Sequence, residues 1–165
     1  MDKRITYVFW GEEKKEHNWI GWYNDVKYLI DFSGYQLSHI GVKLESYDSK
    51  KIVSAKRKEK DILLRMSKGE IPNSLECFSL PYDYKMAVFD YNIYCVRNKQ
   101  YISYTFYDND MNESKEKIIR HITEKYFVPD SGEVFLTSLK EVPLLYVATK
   151  KSKNIKSYEF IKSLY

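Results

Sequence analysis

The sequence predicts an α+β fold: a mostly antiparallel sheet containing a hairpin over 86–107, with about four helices packed mainly on one face. Three observations carry the prediction. Residues 86–107 alternate between two chemically different faces at the period of a strand. Apolar residues at Trp19–Ile30 and Ile118–Tyr126 recur at the period of a helix. Finally, with Gly 6 and Pro 4 among 165 residues, breakers are scarce, so the elements should be well defined and their connections short.

The elements follow in order. Ile5–Trp10 reads as a first strand, stopped by Gly11 and the charged run from Glu12 to Glu16. Trp19, Trp22, Tyr23, Val26, Leu29 and Ile30 form a stripe about 120° wide, the width of an amphipathic helix lying on a sheet. Asn18 is its expected N-cap and Gly34 its C′ residue. Ile40, Val42 and Leu44 alternate with Gly41, Lys43 and Glu45 as a half-buried strand. Asp48 or Ser49 should cap a second helix running to Ser67, with a charged middle at Lys56–Asp61. Leu75–Leu80 is a third strand, leading through Pro81-Tyr82-Asp83 into the hairpin.

For the hairpin, a two-residue turn at Asn98-Lys99 pairs Arg97 with Gln100, Tyr94 with Ser103, Asn92 with Thr105 and Asp90 with Tyr107. Ala87, Phe89, Tyr91, Ile93 and Cys95 then share one face with Ile102, Tyr104 and Phe106. Asp90, Asn92 and Tyr94 share the other with Tyr101, Ser103, Thr105 and Tyr107. This is the sorting expected of a sheet with a core side and a solvent side. Beyond it, Asp110 or Asn112 should cap a third helix, and Pro129-Asp130-Ser131-Gly132 signals a turn. Strands are expected near Val134–Ser138 and Leu144–Thr149, and a short terminal helix at Ile155–Leu164.

A chain of this length is most simply one domain, 1–165, burying roughly 70% of its unfolded surface. An apolar fraction of 44% is compatible with a real core. The net charge of +4, from 27 basic and 23 acidic residues, falls short of a nucleic-acid-binding tail. Its concentrations at Lys56-Arg57-Lys58 and Lys150–Lys153 read as solvated surface. Sixteen tyrosines are far above ordinary usage, by surface selection or by the bias of an AT-rich genome. Cys77 and Cys95 match no zinc spacing and read as buried free thiols, and the N-terminus lacks the apolar run of a signal peptide or membrane span. The expectation is a cytoplasmic protein that does not engage membranes.

No catalytic motif stands out. His17, His39 and His121 form no metal-ligand spacing, and His121-Ile122-Thr123 is a lone His-x-Thr within a predicted helix. Asp90 with Glu113-Ser114-Lys115 imitates a nuclease spacing, yet Glu113 falls where an acid favours a helix start. Glycine-rich phosphate loops and the Gly-x-Ser-x-Gly elbow are missing from the sequence. Trp10, Trp19 and Trp22 sit where core packing needs them. The expectation is therefore a non-enzymatic chain with no metal and no cofactor.

A short first strand ending in Phe9-Trp10-Gly11, then an amphipathic helix, a charged helix and an antiparallel sheet, resembles immunity proteins of bacterial polymorphic-toxin systems. The resemblance covers about the first half of the chain and transfers no functional residue. It implies a small α+β inhibitor that binds and neutralises a cognate toxin domain. The positive charge departs from the acidic character of nuclease inhibitors. The partner surface expected on this basis is the solvent side of the hairpin: Asp90, Asn92, Tyr94, Tyr101, Ser103, Thr105 and Tyr107. Two alternatives stay open: a nucleic-acid-binding module using tyrosine stacking and lysines, and a small enzyme with an unrecognised site.

Overall fold

In the computed structural model, which describes residues 2–165, one eight-stranded sheet runs through the chain and every neighbouring pair of its strands is antiparallel. The elements are β1 (Lys3–Glu13), α1 (Trp19–Phe32), β2 (His39–Lys43), β3 (Val53–Ser54), α2 (Ala55–Ser67) and β4 (Ser74–Ser79). There follow α3 (Ala87–Asp90), β5 (Ile93–Asn98), β6 (Tyr101–Tyr107), α4 (Glu113–Tyr126), β7 (Phe127–Ser138), α5 (Leu144–Val147) and β8 (Glu159–Ser163). Across the sheet the order is β3-β2-β4-β5-β6-β1-β7-β8, so the N-terminal strand lies inside it, between β6 and β7. The α+β class and the antiparallel sheet are as the sequence predicts.

The three long helices cover one face. Trp22, Tyr23, Val26, Leu29 and Ile30 of α1, Ile62 and Met66 of α2, and Ile119 and Ile122 of α4 pack on Phe9, Cys77, Ile93, Tyr104 and Phe106 of the strands. Asn18 caps α1 by accepting from the Gly21 amide at 2.8 Å, and Asn112 caps α4 by accepting from Lys115 at 2.9 Å. Gly34, at φ +88°, follows the end of α1 in the left-handed region that glycine adopts without strain. The expected start of α2 moves. Asp48 and Ser49 turn a loop instead, with Asp48 accepting from the Lys50 amide and Ser49 hydrogen-bonded to Val42, and the helix begins at Ala55.

The hairpin is slipped by two residues from the expected register. Asn98 accepts from the amides of Gln100 and Tyr101, which places the turn at Lys99-Gln100. Arg97 then faces Ile102 and Tyr94 faces Thr105. A slip of two preserves the faces, and Ile93, Cys95, Ile102, Tyr104 and Phe106 do point into the main core. The strand starts only at Ile93, however. Residues 87–90 form a helical turn, so Ala87, Phe89, Asp90 and Asn92 are not ladder residues.

Three further expectations near the C-terminus, and one at Gly11, are corrected. Pro129–Gly132 is a bulge within β7 rather than a turn: Trp10 pairs with Ser131 and Gly11 with Pro129, leaving Asp130 as the extra residue. Gly11 does not stop β1. A Cβ there would lie 2.2 Å from the Val128 carbonyl oxygen, and the close approach lets the strand continue to Glu13. Leu144–Val147 is one helical turn, and Glu159–Ser163 is an edge strand paired with β7.

These last segments, with residues 81–91, cover much of the second face. Tyr146 and Val147 pack with Val8, Trp10 and Phe135, while Leu80 and Tyr91 pack with Phe78, Tyr94 and Val96. The Trp10 indole donates to the Val147 carbonyl at 2.9 Å, and the phenols of Tyr146 and Tyr158 donate to Glu133, tying this cover to the sheet. Among the described residues, no helix is long and apolar enough to cross a membrane.

Candidate functional site

The covered second face corrects the expected partner surface. Tyr94, Ser103 and Thr105 are buried, and Asn92, Tyr101 and Tyr107 are half-buried. Tyr94 stacks on Phe78 with ring centroids 4.3 Å apart, meets Tyr91 edge-on, and donates to Glu76 at 2.9 Å. Burial pushes its phenol well above the ordinary tyrosine range and raises the Glu76 carboxyl, an effect the Tyr94 hydroxyl partly offsets. Thr105 shares a hydrogen bond of 3.0 Å with Thr6. As a continuous exposed tyrosine platform, this face does not exist, because the loop after β4 and the segment after β7 lie across it.

Two of the expected residues do reach a common feature. Asp90 and Tyr107 line a cleft of about 600 Å³ between residues 81–90 and the turn at Leu139-Lys140. The carboxylate of Asp90 accepts from the amides of Lys85 and Met86, both at 2.7 Å. Those two bonds hold its pKa below the ordinary aspartate value and fix the helical turn that forms one wall. Tyr84 packs edge-on against His39 at 5.2 Å, anchoring the same segment to β2. Burial moves the His39 pKa down.

The exposed residues of this segment mix apolar and charged side chains. Tyr82 is wholly exposed at the loop tip, and Met86 and Val88 are exposed within six residues of it. Lys85 and Lys140 add positive charge to the cleft walls, and Asp83 and Asp90 add negative charge. The sequence signal for this loop was Pro81-Tyr82-Asp83, which marks a turn but not what the turn presents.

Behind the wall lies Arg4. Its guanidinium sits between the rings of Tyr91 and Tyr107, at 3.9 and 4.1 Å from their centroids, and donates to the Phe89 carbonyl at 2.7 Å. Arg4 is 1% exposed, and its Nε and Nη1 have no hydrogen-bond partner. A second buried arginine, Arg97, stacks on Trp19 at 4.1 Å, donates to the Asn18 carbonyl at 3.0 Å and faces Glu13 at 3.4 Å. Neither was legible as a site, since a strand arginine such as Arg4, alternating with Ile5, Tyr7 and Phe9 of the helix-covered face, looks solvent-facing until its cover is known.

The other chemical candidates do not converge. Glu113 pairs with Lys117 on the outer side of α4, and the Lys115 ammonium bonds the Asp110 carbonyl, whereas Asp90 is committed to its own turn. His17 pairs with Glu13, and His121 lies exposed on α4. Cys77 and Cys95 are buried free thiols directly opposite one another on β4 and β5, both pushed up by burial. Among the described residues, no group of three or more His, Cys, Asp or Glu side chains is placed to hold a metal ion. Lys150 lies over the Trp10 ring at 4.6 Å, so part of the Lys150–Lys153 run serves packing. Trp10, Trp19 and Trp22 are buried, as expected of core residues.

No protein-family model and no curated protein matches the chain. Among solved structures it is similar to a chain in the crystal structure of the toxic C-terminal tip of CdiA from Pseudomonas aeruginosa in complex with an immune protein. That likeness has a TM-score of 0.39 and 13% identity, over 86% of this chain and 90% of that one.

Proposed function

We propose that this chain works by binding another protein, as an inhibitor of the immunity type that neutralises a cognate toxin domain. The observation that carries the proposal is the 81–90 segment, with Tyr82, Met86 and Val88 exposed on a fixed turn beside a cleft. Isolated surface apolar residues are ordinary, but three together on an ordered segment beside a concavity have the character of a recognition patch. Exposed tyrosine and methionine beside a cleft lined by lysines and aspartates have the residue types enriched in protein interfaces. The docking surface is thus shifted from the hairpin to its neighbouring loop, keeping Asp90 and Tyr107 of the residues first expected there.

The nucleic-acid alternative required an open sheet face on which bases stack, and Tyr94 and Tyr101 are packed against intramolecular neighbours instead. The test is affinity capture from the native cells with the wild-type chain and a Tyr82→Ser/Met86→Ser/Val88→Ser variant. The expected result is a protein held by the wild type, lost by the variant, and toxic on its own unless the wild-type chain is co-expressed. Equal capture by both chains, or a captured protein whose toxicity is unaffected, refutes the proposal.

A further inference from the structure

The outward face of α2 carries charge that works against its own helix. Between Lys56 and Lys68 the chain has six basic and two acidic residues. Both carboxylates are taken: Glu59 accepts from Tyr23 and Lys27 of α1, and Asp61 pairs with Arg65 at 3.1 Å. Lys58 and Arg65 lie over the Tyr47 ring. Lys56, Arg57, Lys60 and Lys68 are exposed and form no ion pair among the described residues. Lys56 and Arg57 follow Ala55 in the first turn, which holds no acidic residue, and the Ser54 side chain makes no capping hydrogen bond. A helix start is the positive end of the macrodipole, so cations there oppose the helix. Lys56 and Lys60 are like charges one turn apart, a second unfavourable arrangement.

An apolar residue stands in the middle of this face. Ala55, Ile62 and Met66 turn α2 toward the core, and at 3.6 residues per turn Leu64 projects roughly 180° away from them. Leu64 is 53% exposed, with Lys60 one turn before it, Lys68 one turn after it and Arg57 two turns before it. Neither helix stability nor core burial accounts for this choice of residues. Positions that break a local rule in this way are expected at functional surfaces.

We propose that the outward face of α2 docks an acidic, partly apolar surface of the partner protein, with Leu64 as the anchor and Lys56, Arg57, Lys60 and Lys68 as its cationic rim. The inference rests on the binding function proposed above and names the chemistry of the partner. Carboxylates docked on this face relieve the repulsion that the free helix bears, and opposite charge steers the encounter and fixes its register. The start of α2 also lies beside the docking loop, since Ser54 pairs with His39 and His39 packs on Tyr84. A phosphate backbone fits less well, because Leu64 at the middle of the face offers it nothing. A membrane fits less well again, because the apolar stripe of α2 is committed to the core and leaves too little to insert.

The test uses the full chain and two readouts. Urea unfolding compares the wild type with Lys56→Glu/Arg57→Glu, whose midpoint should equal or exceed that of the wild type because acids suit a first turn. A lower midpoint means that the cations serve the fold, and overturns the inference. Binding is measured with a random poly(Glu,Tyr) copolymer as the acidic probe, against polyglutamate, a short DNA duplex and phosphatidylserine vesicles. The Lys56→Glu/Arg57→Glu variant should bind poly(Glu,Tyr) roughly tenfold more weakly, and Leu64→Ser should lose affinity for poly(Glu,Tyr) but not for polyglutamate. Lys151→Glu/Lys153→Glu, in the other basic run, should stay within about twofold of the wild type. An equal loss in that control, or tighter binding of DNA or vesicles than of poly(Glu,Tyr), overturns the site. If Lys56→Glu/Arg57→Glu captures the partner as the wild type does while the Tyr82 variant does not, the α2 surface is wrong and the binding function stands. If the copolymer depends on α2 but the Tyr82 variant captures as the wild type does, the α2 surface is supported and the docking loop is refuted.

Discussion

Replacing Tyr94 with alanine tests whether the tyrosine side of the hairpin is interior or surface. Tyr94 is 7% exposed, stacked on Phe78, in contact with Tyr91 and hydrogen-bonded to Glu76. A buried aromatic side chain removes roughly 150–250 Å² from water. At about 25 cal/mol per Å² this is about 4–6 kcal/mol, an upper figure because unfolded chains are already partly collapsed. Measured aromatic-to-alanine changes in cores span about 3–5 kcal/mol, and that is the expected loss here. For a chain of this size it corresponds to a fall in melting temperature of about 6–20 °C. Tyr94→Phe keeps the stack and removes only the hydroxyl, so its cost should be about 1–2 kcal/mol.

The two variants also differ with pH in a defined direction. Burial holds the Glu76 carboxyl above its ordinary pKa, and the Tyr94 hydroxyl opposes that rise. Tyr94→Phe raises it further. A carboxyl whose folded pKa is raised favours the folded state in its protonated form, so its contribution is full below the unfolded pKa and lost as pH rises through the folded value. The Tyr94→Phe deficit is therefore greatest at neutral pH and shrinks as pH falls toward the ordinary glutamate range. Urea unfolding followed by far-ultraviolet circular dichroism, at pH 7 and pH 5, measures both effects. A Tyr94→Ala protein within about 1 kcal/mol of the wild type would refute the assignment of this face to the interior.

Gly11→Ala places a methyl group against the Val128 carbonyl and the Pro129 Cα at the β1–β7 bulge; the expected cost is about 1–3 kcal/mol in urea unfolding, and an unchanged midpoint would mean that the bulge yields freely. Asp90→Asn should lower the hydrogen-exchange protection of the Lys85 and Met86 amides at neutral pH. Because the folded Asp90 pKa is depressed, its contribution in the wild type is present above the ordinary aspartate value and lost as pH falls through the folded one. The gap in protection between variant and wild type should close in acid, and a gap independent of pH would show that charge on Asp90 is not what holds the turn.

The parts of the fold that were legible share a strong local signal. The α1 stripe with Asn18 and Gly34, the α4 stripe with Asn112, and the alternation in β2, β5 and β6 each place most of a face in the core by themselves. The errors fall where one local signal has two structural uses. Asp48 and Ser49 are as good in a turn as at a helix N-cap. Pro129–Gly132 has the composition of a turn, yet proline and glycine also serve bulges, and pairing with a long β1 chose the bulge. Residues 155–164 formed a strand because β7 offered an edge with which to pair.

The same division holds for the site. Asp90 and Tyr107 were singled out from the sequence and do line the cleft, but as part of a surface whose other expected members are buried. Tyr82, Met86, Val88 and Arg4 carried no pattern that marked them. Period-2 alternation tells which residues of a strand lie together, since that follows from backbone geometry alone. Which segment comes to lie over each side depends on contacts between residues far apart in the chain. The sequence by itself determined the class of fold, the helix-facing core and the caps of two helices. Only the tertiary structure decided that the second face of the sheet is covered, that Arg4 is enclosed between Tyr91 and Tyr107, and that Tyr82, Met86 and Val88 are left exposed on the 81–90 segment. Local interactions select the elements, but burial of long-range neighbours decides which polar and aromatic groups are left facing solvent.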